Sequence, residues 1–326
     1  MRKKTLIANI LFCLSLGGAA QVQAERVVNF AHSLSDESHF SVGVDAFKTT
    51  LENLSNGEFK VTEYSAGALG GERTLIEGLQ IGTVDAILTS TGPLGNFVPQ
   101  TYVFDLPFLF EDYKEARCVL DGKVGDDVLD MISQHGIKAM AWSESGFRNI
   151  TNSVKPLITP EDFSGAKIRT MENEIHMDTF RALGANPTPV AFPELFTALQ
   201  QGTVDGQENP ISVIVSSRFS EVQKNLSLTK HVYTAGVLML SNSLYASLSD
   251  EEKSWFEQAT KASITATRDQ ISLMEVDGLA LLKEQGVKIE DSIDRAALKE
   301  KVKVVYDDFS EEYGLDLLTQ IRNSGC

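Results

Sequence analysis

Short apolar runs alternate with longer amphipathic stretches from about residue 26 onward. The apolar runs that predict buried strands cover residues 27–31, 59–64 and 84–88. Apolar positions at helical spacing predict helices over residues 37–54 and 71–80, and Gly82 stands where a helix C-cap is expected. This order of elements predicts an α/β fold with largely parallel strands.

The C-terminal quarter has a different pattern. Ser249 followed by Glu252 predicts a capping box, and the helical pattern behind it continues without proline to Gly286. At ~1.5 Å per residue, such a helix is too long for one compact lobe, so we expect it to span two. A second amphipathic stretch follows over residues 294–321.

One nine-residue segment occurs twice. Residues 78–86 and 198–206 are identical at six of nine positions, and in both copies a helical pattern ends at a glycine before an aspartate and a strand. The repeat indicates two lobes of similar topology. Chance similarity between two helix–glycine–strand junctions is the alternative.

Length and charge narrow the function. A chain of 326 residues with 42% apolar content can bury two ordinary cores. The 29 basic and 45 acidic residues give a net charge of −16, which repels a phosphate backbone and excludes nucleic acid as a partner. The same charge disfavours adsorption to anionic membranes.

The N-terminus has the pattern of a secretory signal. Arg2, Lys3 and Lys4 precede an apolar run over residues 6–16, and small residues lead to Ala24, after which we expect cleavage. The run is too short to span a bilayer, and no later run approaches the required ~20 residues, so no membrane insertion is predicted.

Two cysteines, Cys118 and Cys326, remain after cleavage. An oxidising compartment permits a disulfide between them, but their sequence positions leave both the bridged and the free forms open.

Enzyme signatures are absent from the sequence. It contains no HExxH, GxSxG, P-loop or GxGxxG motif, and its five histidines form no dense metal-ligand pattern. We therefore expect no catalysis, no cofactor and no metal. His32 and His39, close to Asp36 and Glu37, leave a metal site open as an alternative to an ordinary loop.

Polar residues follow several predicted strands. His32 follows the first strand, Thr89 and Ser90 follow the third, and Glu208 and Asn209 follow the second copy of the repeat. Because ligands of open α/β sheets bind beyond the carboxyl ends of strands, these positions predict a pocket for a polar small molecule.

Two arginines indicate which charge that pocket would bind. Arg169 lies in a short strand-like run and Arg148 near an expected passage between the lobes. Each guanidinium could clamp a carboxylate with two parallel donors, or could instead form a structural ion pair. Phe192, just before a predicted helix, could line the pocket or staple its own helix.

Five motifs in order resemble the substrate-binding proteins of tripartite ATP-independent periplasmic (TRAP) transporters. They are YSAGALG at 64–70, VFDLPF at 103–108, KIR at 167–169, GANPTP at 184–189 and VDGQENP at 204–210. No single motif is decisive, but together they extend over essentially the whole mature chain.

The resemblance implies a two-lobed periplasmic binding protein fold of type II, with crossing strands and a long helix spanning both lobes. We expect one lobe over residues 25–146 plus about 236–277, and the other over 147–235 plus about 278–326. It also implies a periplasmic location, a small organic anion as ligand, and the small and large TRAP membrane subunits as partners.

The same resemblance assigns roles to single residues. Arg169 matches the carboxylate-clamping arginine, Arg148 a second arginine found in many members, and Asn209 an asparagine that completes the carboxylate contacts. Phe192 matches an aromatic wall of the cleft, and His231 a position that reaches the ligand in some sialic-acid binders.

The first-lobe positions depart from the pattern of sialic-acid binders, because His32, Glu72, Thr89 and Ser90 form a different polar set. No aromatic residue follows Asn209-Pro210 closely, unlike in many C4-dicarboxylate binders that resemble the family. We therefore expect a hydroxylated acid such as a sugar acid. A dicarboxylate or a sulfonate remains an alternative ligand.

Two other functions stay open from the sequence. An extracellular enzyme acting on acidic sugars could use Glu72 and Glu208 as paired carboxylates. A sensor component could present its closed form to a receptor instead of a permease.

Overall fold

The computed structural model of the chain describes residues 25–326, so the predicted signal segment and its cleavage site lie outside the described residues. The strands are β1 Arg26–Ala31, β2 Phe59–Tyr64, β3 Ala86–Ser90, β4 Ile137–Asn152, β5 Lys167–Thr170, β6 Asn186–Pro189, β7 Gly206–Asn209, β8 Asn225–Ser241 and β9 Lys288–Glu290.

Helices pack around these strands. They are α1 His39–Leu54, α2 Glu72–Ile81, α3 Thr91–Leu94, α4 Tyr113–Leu120, α5 Lys123–Ser133, α6 Glu174–Ala182, α7 Phe192–Gln200, α8 Ile211–Ser216, α9 Asn242–Ser247, α10 Asp250–Glu284, α11 Arg295–Lys301, α12 Lys303–Tyr313 and α13 Asp316–Arg322. Short segments of 3₁₀ helix lie at Pro99–Asp105, Pro160–Phe163 and Phe219–Glu221.

The strands form one continuous sheet in the order β2-β1-β3-β8-β4-β7-β5-β6, with β9 beside β8. We call β1–β3 with α1–α5 the first lobe, and β5–β7 with α6–α8 the second lobe. Within each lobe these strands are parallel, as predicted, but β4 and β8 run antiparallel to each other and to their neighbours β7 and β3. The sheet is therefore mixed, because the chain passes between the lobes in both directions.

The crossing strands β4 and β8 are 16 and 17 residues long and pair with each other from end to end. At ~3.3 Å per residue, each extends for about 50 Å, which is enough to enter both lobes. Their register shifts at three points, and one shift includes Gly146, whose φ of +116° is a conformation that glycine adopts without strain.

The repeated segment folds in the same way in both lobes. Each copy ends a helix, turns through a glycine with positive φ (Gly82 and Gly202), and begins a strand, β3 or β7. The aspartate of each copy holds the neighbouring parallel strand, because Asp85 accepts from the Asn29 amide and Asp205 from the Lys167 amide, both at 2.9 Å. The shared sequence thus encodes one strand-pairing junction used twice.

The long helix α10 confirms the prediction made from its capping box. The Ser249 side chain accepts from the Glu252 amide, and the helix continues for 35 residues. It packs against α1 of the first lobe, α8 of the second and the crossing strand β4. No helix in residues 25–326 combines the length and apolar content of a membrane span.

Apolar side chains cover both faces of the sheet. Consecutive residues of β3 belong to different hydrophobic clusters, because Ile87 points to one face of the sheet and Leu88 to the other. Each cluster contains residues of both lobes, so the cores are divided by the sheet rather than by the cleft.

The amphipathic stretch predicted near the end of the chain forms three helices, α11 to α13. α12 packs against α6 of the second lobe, whereas α13 packs against α5 of the first. A disulfide then joins Cys326 to Cys118 of α4, with the Cα atoms 5.8 Å apart. The chain end is thus covalently attached to the first lobe. The residue boundaries given above for the two lobes stay a prediction.

We expect the double change Cys118→Ser and Cys326→Ser to lower the free energy of unfolding by about 2–4 kcal/mol, because the bridge closes a loop of 208 residues in the unfolded chain. Guanidinium unfolding of the oxidised protein checks this. Reduced wild-type protein is the control and should match the variant; equal stability of the oxidised wild type and the variant would contradict the prediction.

Candidate functional site

A small cavity lies between the lobes, near the carboxyl ends of β3, β5 and β7. Its walls come from both lobes and from the crossing strand β4. The lining residues are Ser33, Leu34, Phe40, Glu72, Ser90, Ser145, Arg148, Arg169, Met171, Phe192, Asn209 and Val213. The free space is about 20 Å³, which is room for about one water molecule, so an organic ligand can enter only if the walls move apart.

Arg169 places an unsatisfied cation in this cavity. Its side chain lies on β5 and is 1% exposed. Nε and Nη2 both donate to the Val190 carbonyl oxygen, at 2.9 and 2.7 Å, while Nη1 is buried without a partner among the described residues. Burial, and secondarily the charge of Arg148, lowers the pKa of the Arg169 guanidinium to about 10, so it stays charged at pH 7.

An unpaired buried charge is costly unless an anion compensates it. Because Arg169 has no carboxylate partner in residues 25–326, its Nη1 is a candidate hydrogen-bond donor for an anion. The ring of Phe192, the first residue of α7, lies 6.0 Å from the Arg169 Cζ and forms the adjacent wall. Phe192 also faces Phe219, with ring centroids 6.2 Å apart.

Arg148 differs from Arg169, because it already has an internal acidic partner. It lies on β4 and is 1% exposed, and its Nη2 donates to Glu208 Oε1 at 2.8 Å while Nε contacts Oε2. Nη2 also lies 3.2 Å from Asn209 Oδ1. Arg148 lines the cavity but is neutralised by Glu208, so the alternative of a structural ion pair holds for this residue.

Glu208 is held in its ionised form. Burial alone would raise the pKa of Glu208, but the charge of Arg148 and the nearby His231 outweigh burial and keep the pKa well below its ordinary range. His231 Nε2 lies 3.3 Å from Glu208 Oε2, and its Nδ1 is 2.8 Å from Thr229 Oγ1. Burial lowers the pKa of His231, so the imidazole is neutral at pH 7.

His231 thus contacts Glu208 behind the cavity and does not line it among the residues that the structure describes. Asn209 does line the cavity. Its Oδ1 faces Arg148 and its Nδ2 donates to Gln207 Oε1, so the amide is oriented from both sides.

The first-lobe wall is built around Glu72. Its Oε1 accepts from Thr89 Oγ1 at 3.1 Å and from the Ser90 amide at 2.7 Å, and Oε2 accepts from Ser90 Oγ at 2.9 Å. Glu72 and Ser90 line the cavity, whereas Thr89 lies behind Glu72. The carboxylate retains acceptor capacity toward the cavity, because two carboxylate oxygens offer about four sites.

His32 lies next to the cavity, with its side chain directed elsewhere. Its Nε2 is 2.8 Å from Glu63 Oε1 and 3.2 Å from Ser41 Oγ, while the following residues, Ser33 and Leu34, line the cavity. His39 is buried with neither ring nitrogen hydrogen-bonded. Over residues 25–326, no group of three or more His, Cys, Asp or Glu side chains could hold a metal ion.

Six lining residues were not predicted from the sequence: Ser33, Leu34, Phe40, Ser145, Met171 and Val213. Ser33 and Leu34 directly follow His32, so they could have been found by counting three residues after the first strand as candidates instead of one. Ser145 had one sequence signal, the adjacent Gly146 on a crossing strand. The others reach the cavity only through lobe packing.

A larger crevice of about 740 Å³ lies elsewhere, between the N-terminus of α1, α8 and α10. Its walls carry both charges, and its arginine, Arg218, lies 3.7 Å from Glu37. Volume alone would favour this crevice. The smaller cavity is the candidate anion site, because it contains a buried guanidinium that has no acidic partner among the described residues.

The sequence profile of the bacterial extracellular solute-binding proteins, family 7 (DctP), matches residues 30–312. The chain belongs to this family. Among curated relatives of this family 7 protein, the 2,3-diketo-L-gulonate-binding periplasmic protein YiaO of Escherichia coli K12 is 32% identical over 326 residues, covering 97% of this chain and 98% of YiaO.

Solved structures of TRAP solute-binding proteins share the two-lobed fold of this family 7 protein. One from Polaromonas sp. JS666, bound to D-erythronate, is 45% identical with a TM-score of 0.89, over 91% of this chain and 98% of that one. The sugar acid binding protein of Advenella mimigardefordensis, in complex with galactonate, is 37% identical with a TM-score of 0.89, over 91% and 97%.

In this family 7 protein, Glu208→Gln should lower the free energy of unfolding by about 3 kcal/mol at pH 7, because it leaves the Arg148 charge buried without a counterion. The pKa of Glu208 is depressed in the fold, so the stabilisation is present above its ordinary value of 4.5 and is lost as pH falls. The difference should shrink by about 1.4 kcal/mol per pH unit below that value.

Denaturant unfolding of both proteins between pH 3 and pH 7 measures the difference. The matched control is Glu161→Gln at an exposed position, which should change stability little at any of these pH values. A pH-independent difference for Glu208→Gln would contradict the ionised pair.

Proposed function

We propose that this protein captures a hydroxylated monocarboxylate, such as a sugar acid, between its lobes in the periplasm. It then delivers the acid to the small and large membrane subunits of a TRAP transporter. The observation that carries the proposal is the buried Arg169 side chain, which lines an interlobe cavity and whose Nη1 has no partner among residues 25–326.

The charges of the cavity support one carboxylate per ligand. Arg148 and Glu208 compensate each other, so Arg169 supplies the one cation left to pair with an acid. A carboxylate at Nη1 forms a charge-assisted hydrogen bond, and the amide of Asn209 beside it offers a further polar contact.

Glu72 argues against a second carboxylate. It is ionisable, largely buried and held by Thr89 and Ser90 in the opposite wall, so a dicarboxylate would bring like charges together in a desolvated site. A hydroxyl group can instead donate to the remaining acceptor position of the Glu72 carboxylate. The wall therefore favours a polyhydroxy acid over succinate or malate.

The ligands of related proteins have this chemistry. Erythronate and galactonate, bound in the two solved structures, and diketogulonate, named for YiaO, are acids with one carboxylate and several hydroxyl or carbonyl groups. The residues of both lobes that line one cavity support a capture mechanism in which the lobes separate to admit the acid and close around it.

The enzymatic alternative is weakened by the state of Glu208. A general acid must carry a proton near neutral pH, but the Arg148 charge holds the pKa of Glu208 well below its ordinary range. We therefore propose release of the acid unchanged. Incubation with candidate acids followed by mass spectrometry tests this, and any turnover product would favour the enzyme.

Arg169→Ala should raise the Kd for D-erythronate or D-galactonate at least a hundredfold, because the only unpaired cation of the cavity is lost. Arg169→Lys should also weaken binding at least tenfold, since an ammonium group cannot reproduce the planar fork that also grips the Val190 carbonyl. Isothermal titration calorimetry measures both, after a thermal-shift screen of sugar acids, dicarboxylates and sulfonates.

Arg181→Ala provides a matched control for Arg169, because Arg181 lies on the surface of α6 in the same lobe and pairs with Glu174 and Asp178. The affinity of Arg181→Ala for both acids should equal that of the wild type.

In the thermal-shift screen, an acid supplied at 100 times its Kd should add about 2.7 kcal/mol to the free energy of unfolding. Wild-type affinity in Arg169→Ala would overturn the assignment.

Glu72→Gln should change selectivity more than stability. Removing the negative charge should raise affinity for succinate relative to D-erythronate at least tenfold, because repulsion of the second carboxylate disappears while one hydroxyl acceptor is weakened. Competition calorimetry with the two acids gives the ratio. An unchanged ratio of the two affinities would show that Glu72 does not contact the part of the ligand distant from its first carboxylate.

A further inference from the structure

A second polar cluster joins the two lobes beside the cavity, and the anion site does not use it. Asp105 closes the first-lobe 3₁₀ turn within the VFDLPF motif and is 0% exposed. Thr91 Oγ1 donates to its Oδ1 at 2.7 Å, and Asn173 Nδ2 donates to its Oδ2 at 2.9 Å. Thr91 belongs to the first lobe, whereas Asn173 precedes α6 of the second.

The Asn173 side chain forms hydrogen bonds with both lobes. Its Oδ1 accepts from the His176 amide at 2.9 Å and caps α6, which is a contact within the second lobe. Its Nδ2 donates across the cleft, to Asp105 and to the Gly92 carbonyl oxygen at 2.9 Å. Separating the lobes would break only the Nδ2 contacts and would leave the cap intact.

The cluster belongs to a longer strip of contact along the edge of the cavity. Met171, which lines the cavity, lies so close to Gly92 that a Cβ at Gly92 would come within 2.5 Å of its Cε. Asn96 Nδ2 donates to the Glu172 carbonyl oxygen at 2.6 Å. Residues 171–173 of the second lobe therefore lie directly against the first lobe.

Neither Asp105 nor Asn173 lines the cavity. His176 lies between the cluster and the anion site, with Nε2 3.6 Å from Asp105 Oδ1 and Nδ1 3.9 Å from Glu208 Oε1. These distances are longer than hydrogen bonds, so the imidazole packs between two buried carboxylates without bonding to either.

We propose that the hydrogen bond between Asn173 and Asp105 is a positioning contact that forms when the lobes close and retains the captured acid without touching it. The inference rests on the proposed function, since it assigns these residues to the closing step of ligand capture. A contact made only in the closed state raises the closed fraction, and apparent affinity rises in proportion to that fraction.

Asn173→Asp is the variant that isolates this contact. Aspartate keeps the oxygen that caps α6, but it replaces the Nδ2 donor by an acceptor that faces the Asp105 carboxylate. We expect the Kd for D-erythronate and D-galactonate to rise at least tenfold in calorimetry. The thermal midpoint of the acid-free protein should change little, because the acid-free protein makes the contact only in the fraction of molecules that are closed.

Rates separate positioning from direct contact. In stopped-flow measurements with the same two acids, Asn173→Asp should raise the dissociation rate at least tenfold and leave the association rate unchanged, because the contact follows the encounter. The matched control, Asn186→Asp, adds the same charge at an exposed second-lobe position whose amide bonds only within its own lobe. It should behave as the wild type.

Exchanging the partners provides a rescue test. Asp105→Asn combined with Asn173→Asp restores one donor and one acceptor across the cleft, so part of the lost affinity should return. Recovery should be partial, because the carboxylate introduced at position 173 offers no donor to the Gly92 carbonyl oxygen. A double variant no better than Asn173→Asp, or a lowered thermal midpoint with unchanged Kd, would overturn the proposal in favour of a permanent structural contact.

Failure of the proposed function can be told apart from failure of this inference. If the wild type binds neither acid, the proposed ligand class falls, and the contact is judged without ligand. Single-molecule energy transfer between dyes at exposed Glu77 and Gln201, one in each lobe, counts the closed fraction of acid-free protein. A lower fraction in Asn173→Asp supports the contact, and an equal fraction overturns it.

Discussion

A buried guanidinium with one unsatisfied nitrogen is the feature on which the binding site depends. The Arg169 side chain is 1% exposed and is charged at neutral pH, yet its two hydrogen bonds go to a single carbonyl oxygen. A protein interior tolerates such a charge poorly, which is why we propose that an external anion completes the site. Because one cation is left over, the proposed ligand carries one carboxylate, and its hydroxyl groups contact the rest of the cavity.

The fold holds this charge at the junction of two bodies. Arg169 comes from a short parallel strand in the second lobe, while Glu72 and Ser90 come from the first. The crossing strands β4 and β8 and the helix α10 contact both lobes. These connections keep the opposite walls of the cavity facing each other.

The pair formed by Arg148 and Glu208 shows how a second arginine can lie in the same cavity without adding net charge. Two unpaired guanidinium groups would repel each other in the acid-free protein and would favour a doubly charged ligand. With Arg148 compensated, its remaining role is to fix the geometry of Asn209 and the cavity floor. His231 backs the same carboxylate as a neutral ring.

Local patterns in the sequence determined where several helices and strands begin and end. The capping box at Ser249, the glycine cap at Gly82 and the repeated junction follow from contacts within a few residues, so periodicity and capping chemistry predicted them. Two family motifs contain Arg169 and Asn209, and the wider resemblance also made Phe192 and Glu72 candidates; all four line the cavity.

Only the tertiary structure decided which polar groups are already satisfied. The residue types alone do not distinguish Arg148 from Arg169. Arg148 pairs with Glu208, 60 residues further along the chain, whereas Arg169 bonds to a carbonyl oxygen and has no carboxylate partner among the described residues. The antiparallel crossing strands, the place of His231 behind the cavity and the disulfide are likewise set by contacts between distant segments. Such contacts depend on how the lobes pack, which no local pattern of residues encodes.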